Sequence, residues 1–211
     1  MNSFIVQVAT SEHLHFASEI CGLIEVSAKH RGTGIAIRSP EYIGQKMAEG
    51  KAIIALSGKK RLVGFCYIES WSNRQYVANS GLVVTHDFRS AGVATQIKKK
   101  AFEHSQKLFP GAKLFGLTTS LPVMKINSEL GYVPVTYEKL TADNDFWNGC
   151  RSCVNYEILM SKNKFNCMCT AMLFDSEKSR KTKWNFMKKS KIYERFMRRK
   201  KNKLSKKQKT S

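Results

Sequence analysis

Apolar and polar positions along the chain change period several times, and each change marks an element. The opening stretch "SFIVQVAT" alternates with the two-residue period of a strand. From Ser11 to about Lys29, apolar Leu14, Ala17, Cys21, Ile24 and Ala28 recur at helical spacing, which predicts a helix ending at "HRGTG". Ser39-Pro40-Glu41 then supplies a cap, a first helical position and an acid placed favourably for the helix dipole, opening a short helix that stops near Gly50. "KAIIALS", "RLVGFCYIES" and "QYVANSGLVV" follow as three strands in hairpin order, with "GKK" and "WSNR" as turns.

From Val93 the period becomes helical again. Val93, Ile97, Ala101, Ser105 and Leu108 share one face until Pro110-Gly111 stops the run. A strand "AKLFGLTT", a helix from Pro122 to Leu130 closed by Gly131, and a strand "YVPVTY" complete the pattern. The order β-α-α-β-β-β-α-β-α-β predicts an α+β fold.

Composition narrows the class. At 211 residues, 42% apolar and 10% aromatic, the chain has enough material for a real core. No window approaches the roughly 18 unbroken apolar residues of a membrane span. The first residues lack a basic start and a long apolar run, so a secretory signal is not expected and a cytoplasmic location is. The net charge of +20 suggests a nucleic-acid partner until it is placed: residues 176–211 hold 16 of the 36 Lys and Arg and 2 of the 16 Asp and Glu, leaving only +6 elsewhere. This basic tail reads as a largely disordered, solvated extension. Its interleaved Trp184, Phe186, Ile192 and Phe196 leave open a short amphipathic helix on RNA, an acidic membrane surface or a partner.

The stretch "THDFRSAGVA" joins a strand directly to a helix, whose first N–H groups therefore lack intrahelical acceptors. Gly92 and Ala94 remove bulk there and Arg89 adds a fixed positive charge, a combination suited to a pyrophosphate. In this context R-x-x-G-x-A resembles the coenzyme A site of GNAT-type N-acyltransferases, whose hallmark Q/R-x-x-G-x-G/A is matched by Arg89, Gly92 and Ala94. The resemblance runs from about Phe4 to Tyr137 and includes "MKINSELGYVPV", similar to the family's second helix-turn-strand signature. "RGTGIA", "YVANSGLVV", "FWNGCRSCVNY" and "CTAMLFD" further resemble a bacterial group associated with arginine biosynthesis and proposed to acylate the amino group of glutamate.

The resemblance implies a GNAT-like, mixed but mainly antiparallel central sheet flanked by helices. It assigns residues 1–145 to an acyl-CoA-binding domain, 146–175 to a Cys-bearing C-terminal extension packed on it, and 176–211 to the basic tail. Acetyl-CoA or succinyl-CoA is the implied acyl donor. Its thioester and pantetheine arm fall to the backbone of Leu82, Val83 and Val84, and its diphosphate to Arg89, Ser90, Ala91, Gly92, Val93, Ala94 and Thr95. Many members place a Tyr four residues before the Gly of the second signature, to protonate the departing thiolate. This chain has Asn127, which can contact coenzyme A but cannot give up a proton at neutral pH; Tyr132, water or no dedicated acid then serves.

For the acceptor amine, Glu69 is the candidate base, as the one carboxylate on the central strands, although a solvated strand-end acid fits the same position. A small amino acid requires cations for its carboxylates, and Arg31 and Arg38 flank "RGTGIAIR". Ser70, Asn79 and Ser80 add neutral polar groups. Cys150 and Cys153, then Cys167 and Cys169, form two close pairs that could surround a structural Zn²⁺, pack as buried free thiols or act in redox chemistry. The expected activity is acetyl or succinyl transfer to a small amino acid, glutamate foremost. A protein N-acetyltransferase, and a non-catalytic acyl-CoA-binding module with an RNA-binding tail, are the alternatives; a sheet-edge homodimer suits any of them.

Overall fold

The computed structural model describes residues 3–31 and 37–177, except for the side chains of His30 and Arg31. The chain divides between Phe174 and Asp175. Apart from residues 176 and 177, the basic tail lies outside the described residues.

Strand β1 (Phe4–Val8) leads through a 3-10 turn at Ser11–Phe16 into α1 (Ala17–Arg31). Helix α2 (Pro40–Ala48) starts as its sequence implies, with the Ser39 hydroxyl accepting from the Tyr42 N–H at 3.2 Å. The meander follows as β2 (Ala52–Ser57), β3 (Leu62–Trp71) and β4 (Tyr76–Val84). Then come α3 (Val93–Leu108), β5 (Lys113–Thr118), α4 (Leu121–Glu129) and β6 (Val133–Pro134). Two short helices, α5 (Asn144–Asn148) and α6 (Tyr156–Ser161), precede β7 (Thr170–Phe174).

Seven strands form one sheet in the order β1-β2-β3-β4-β5-β7-β6. Only β4 and β5 are parallel, and α3 is the crossover that parallel neighbours need. The expected strand "YVPVTY" contracts to two paired residues, because Pro134 offers no N–H and the strand lies at the sheet's edge. The cysteine-bearing segment contributes β7, inserted between β5 and β6 with five residues in register against β5.

Alternation along β3 sends side chains to two cores. Phe65 and Tyr67 pack with Ile20, Ile24, Ile43 and Met47 of α1 and α2. Cys66 turns the other way, onto Val93, Ile97 and Ala101 of α3. Beyond them, Phe115, Trp147 and Leu159 fill the space under α5 and α6, while Leu114, Tyr132 and Phe174 pack on the α3 side.

Candidate active site

The parallel pair β4–β5 is short. Register holds only for Tyr76 to Ala78 against Lys113 to Phe115; from Asn79 on, β4 pairs with β3 alone while Gly116 to Thr118 pair with β7. The two strands therefore part, and backbone groups on the β5-facing edge of β4 have no strand partner. A bulge accentuates this: Phe65 faces Val83 and Tyr67 faces Ser80, so Gly81 and Leu82 together oppose Cys66. Gly81 takes the left-handed φ of 65° that the bulge demands.

At the mouth of the gap, the chain leaves β4 through a 3-10 turn at His86–Phe88 and enters α3. Ser90 (φ 63°) and Gly92 (φ 79°) are both left-handed. No side chain caps this end of α3 and its first turn carries no acid, so the N–H groups of Val93, Ala94 and Thr95 stay free of intrahelical bonds. Arg89, Ser90, Ala91, Gly92 and Thr95 are exposed and Ala94 is half-buried, whereas the side chain of Val93 is in the core. A Cβ placed on Gly92 would meet no atom within 4 Å. The turn is thus open to an incoming anion.

The gap continues into a cleft of 510 Å³ bounded by Ser80, Gly81 and Leu82 of β4 and by Gly116, Leu117 and Thr118 of β5. One wall is polar. The Tyr42 hydroxyl donates to Glu69 Oε1, and Lys46 Nζ lies 3.2 Å from the same oxygen. Arg38 Nε donates to the Tyr67 hydroxyl at 3.1 Å, and its guanidinium lies 5.3 Å from the Tyr42 ring centre. Burial pushes the Tyr67 phenol up to about 12 and Tyr42 further above its ordinary value, so both remain neutral hydrogen-bonding groups at physiological pH. The opposite wall is aromatic: Trp71, Phe115 and Phe146 meet with ring centres 4.9 to 5.7 Å apart.

Several of the residues singled out from the sequence converge here. Glu69, Arg38, Asn79, Ser80 and Leu82 line the cleft, while Val83 and Val84 direct their side chains into the two cores and do not line it. Ser70 lies on the face of β3 opposite Glu69 and does not line the cleft. The Asn79 amide is bonded on the α3 side, donating to Ser105 Oγ at 2.7 Å and accepting from the Tyr132 hydroxyl at 3.4 Å. Asn127 is buried between α4 and β7, its amide donating to Met172 Sδ at 3.7 Å and its Oδ1 without a partner; it does not line the cleft. The Arg31 side chain lies outside the described residues. Tyr42, Lys46, Tyr67 and Lys98, which complete the cleft lining or its polar network, were not foreseen.

The four late cysteines do gather: Cys150, Cys153 and Cys169 border the cleft, and Cys167 approaches Asn155, whose N–H donates to Cys153 Sγ. Among the described residues, no group of three or more His, Cys, Asp or Glu side chains could hold a metal ion. Cys167 Sγ donates to the Asn155 carbonyl at 3.7 Å, and burial together with the neighbouring thiols pushes Cys150 up to about 11 and Cys169 up to about 12. Raised in this way, the Cys150 and Cys169 thiols hold their protons at neutral pH, which suits packing thiols.

A mixed sheet that opens between two parallel strands, with the crossover helix beginning at a bare anion-attracting turn, is the architecture of the GNAT-type acetyltransferases. The solved structures it matches bear this out at the level of the fold. The N-acetylglutamate synthase of Neisseria gonorrhoeae, solved with coenzyme A and N-acetyl-glutamate, matches over 83% of this chain at a TM-score of 0.59 and 15% identity. The match covers 35% of that enzyme, so this chain spans about a third of its length. A Mycobacterium tuberculosis protein in complex with CoA matches with 0.59 and 14% identity, covering 81% of this chain and 98% of that one. A GNAT-family acetyltransferase of Staphylococcus aureus gives 0.52 and 13% identity over 66% of this chain and 90% of its own. No protein-family model and no curated protein sequence matches the chain. Among the described residues, no helix is long and apolar enough to cross a membrane.

Proposed function

We propose that this chain is an acyl-CoA-dependent N-acyltransferase, moving an acetyl or succinyl group to the amino group of a small amino acid, with L-glutamate the favoured acceptor. The observation that carries the reading is the gap between β4 and β5, open at the bare turn around Gly92 and leading to Glu69 and Arg38. In this reading the diphosphate of the donor lies on the free N–H groups of α3, and its pantetheine arm completes the unpaired edge of β4 as a strand would. Glu69 takes the proton that the acceptor ammonium must lose before it attacks the thioester carbon. Tyr42 and Lys46 hold that carboxylate in one orientation. Arg38, fixed by Tyr67, receives an acceptor carboxylate from the same side. The likeness to an N-acetylglutamate synthase holding N-acetyl-glutamate supports glutamate, and the cationic, half-buried Arg38 supports an acceptor with a carboxylate.

The test is thiol release from acetyl-CoA and from succinyl-CoA with a panel of amines. Stimulation by glutamate alone is expected. Stimulation only by peptides would assign the site to protein acetylation, and no release with any amine would leave a coenzyme A-binding module.

A further inference from the structure

The cleft holds one cation to which the acyl-transfer reading gives no task. Lys98, on α3, is 2% exposed, and what it does expose lines the cleft. Its Nζ lies 5.7 Å from the Tyr132 ring centre, and among the described residues no carboxylate or carbonyl is bonded to it. Position along α3 explains the burial: Lys98 leads the stripe Ala101, Phe102 and Ser105 at helical spacing, facing β3 and β4. An ammonium in that setting lacks a counter-ion and favours whatever ligand brings negative charge. Burial lowers its pKa from the ordinary lysine value, opposed by the Cys66 thiol, so its proton is held less tightly than a surface lysine's.

The sheet separates Lys98 from the acceptor machinery. Glu69, Arg38 and Tyr67 approach the gap from the α2 side, with Asp145 of α5; Lys98 approaches from the α3 side, where Cys66 and Tyr132 are the titratable groups facing it. Negative charge develops on the α3 side only if the donor's sulfur lodges in the gap and its bond to the acyl carbon breaks. The other candidate acids are unsuited: Asn127 has no proton to give, and the Tyr132 hydroxyl is turned to Asn79, with its pKa raised by burial.

Resting on the N-acyltransferase reading, we propose that Lys98 is the general acid that protonates the coenzyme A sulfur as it leaves. As the amine nitrogen bonds to the carbonyl carbon, the C–S bond breaks and its electron pair goes to sulfur. Lys98 gives sulfur a proton, producing the free thiol and a neutral amine, while Glu69, having already passed the ammonium's first proton to solvent, takes the second from the nitrogen as the amide forms. Solvent returns a proton to Lys98 and removes one from Glu69.

The experiment compares wild type, Lys98→Met and Lys98→Arg with acyl-CoA and with an activated aryl thioester of the same acyl group. Aryl thiolates leave without a proton. With acyl-CoA, kcat of Lys98→Met is expected to fall about 10²–10⁴-fold, with coenzyme A binding unchanged within about threefold and the alkaline limb of the wild-type pH profile lost. With the aryl thioester the deficit shrinks to less than about tenfold, and Lys98→Arg is intermediate on acyl-CoA. Equal deficits on both thioesters, or a Lys98→Met enzyme as fast as wild type, overturn the assignment while leaving the acyltransferase reading intact. Wild-type protein that releases no thiol with any amine overturns that reading and this assignment with it. Should Lys98→Met not fold, the wild type alone decides over a series of thioesters: a shallow dependence of rate on thiol acidity supports a proton donor, and a steep one refutes it.

Discussion

Gly81 and Gly92 offer a paired perturbation whose outcomes differ for a calculable reason. Both have a left-handed backbone, φ 65° and 79°, so an alanine at either carries a conformational penalty of about 1–2 kcal/mol, offset in part by about 0.4–1 kcal/mol from the stiffer unfolded chain. Their surroundings differ. A Cβ on Gly81 would stand 2.5 Å from Tyr67 Cε1 and 2.8 Å from Cδ1, whereas one on Gly92 meets nothing within 4 Å. The Tyr67 ring cannot yield easily, because it is 3% exposed, set edge-on to Tyr42 and tied through its hydroxyl to Arg38. Overpacking adds about 1–3 kcal/mol, so Gly81→Ala is expected to lose about 1–4.5 kcal/mol and Gly92→Ala no more than about 1.5. Urea unfolding followed by tryptophan fluorescence measures both. Function should separate in the other direction: Gly92→Ala weakens coenzyme A binding about tenfold by crowding the turn, and Gly81→Ala, by displacing Tyr67 and Arg38, weakens the acceptor instead. Equal stabilities for the two variants, or Gly81→Ala within about 0.5 kcal/mol of wild type, would refute the argument from the bulge.

Three further outcomes follow from the cleft. Glu69→Gln should reduce kcat/KM about 10²–10⁴-fold at neutral pH, with the deficit narrowing at alkaline pH as the acceptor amine loses its proton unaided; a pH-independent deficit would count against a base. Arg38→Ala should raise the acceptor KM about 10–100-fold, the loss of one charge-assisted hydrogen bond, with donor affinity unchanged; equal effects on both substrates would place Arg38 outside acceptor binding. Lys98→Met should stabilise the protein at neutral pH by about 1–3 kcal/mol, since it removes an uncompensated buried charge. The sign with pH follows from linkage. The folded pKa of Lys98 lies below the unfolded value of 10.5, so the unfolded chain binds more protons in that window and wild-type stability gains there as pH rises. The variant should lack this gain, as denaturation curves at stepped pH would reveal.

Much of the fold was legible because periodicity is a local property. The meander, α3 and α4 all lie where the spacing of Val93, Ile97 and Ala101 and the alternation through "AIIALS" and "LVGFCYIES" put them. Strand β7 escaped notice because "TAMLF" is a short apolar run behind a cysteine-rich stretch, and its neighbours β5 and β6 are remote in sequence. The turn around Gly92 was legible for the same local reason as the helices. The acceptor network was not: Tyr42 meets Glu69, and Arg38 meets Tyr67, only after α2 folds back onto β3. Ser70 could not share the cleft with Glu69, because adjacent strand residues point to opposite faces, and the bonds of Asn79 to Ser105 and Tyr132 join elements remote in sequence.

Lys98 is the sharper lesson, because its signal was present and was masked by its neighbours. Within "IKKKAF" it reads as one of three solvated lysines, yet it sits three, four and seven positions before Ala101, Phe102 and Ser105, which places it on the buried stripe. A core position filled by a lysine without a counter-ion conflicts with local patterning, and among the described residues only the Tyr132 ring face offsets it. Methionine would fill the same volume without the desolvation penalty, so stability gives no reason for the amine to be there. A reason appears only when the open gap beside it receives a group that becomes anionic during its stay. Stability and activity should therefore move in opposite directions at this one position, a trade-off expected of a catalytic group and not of a packing residue.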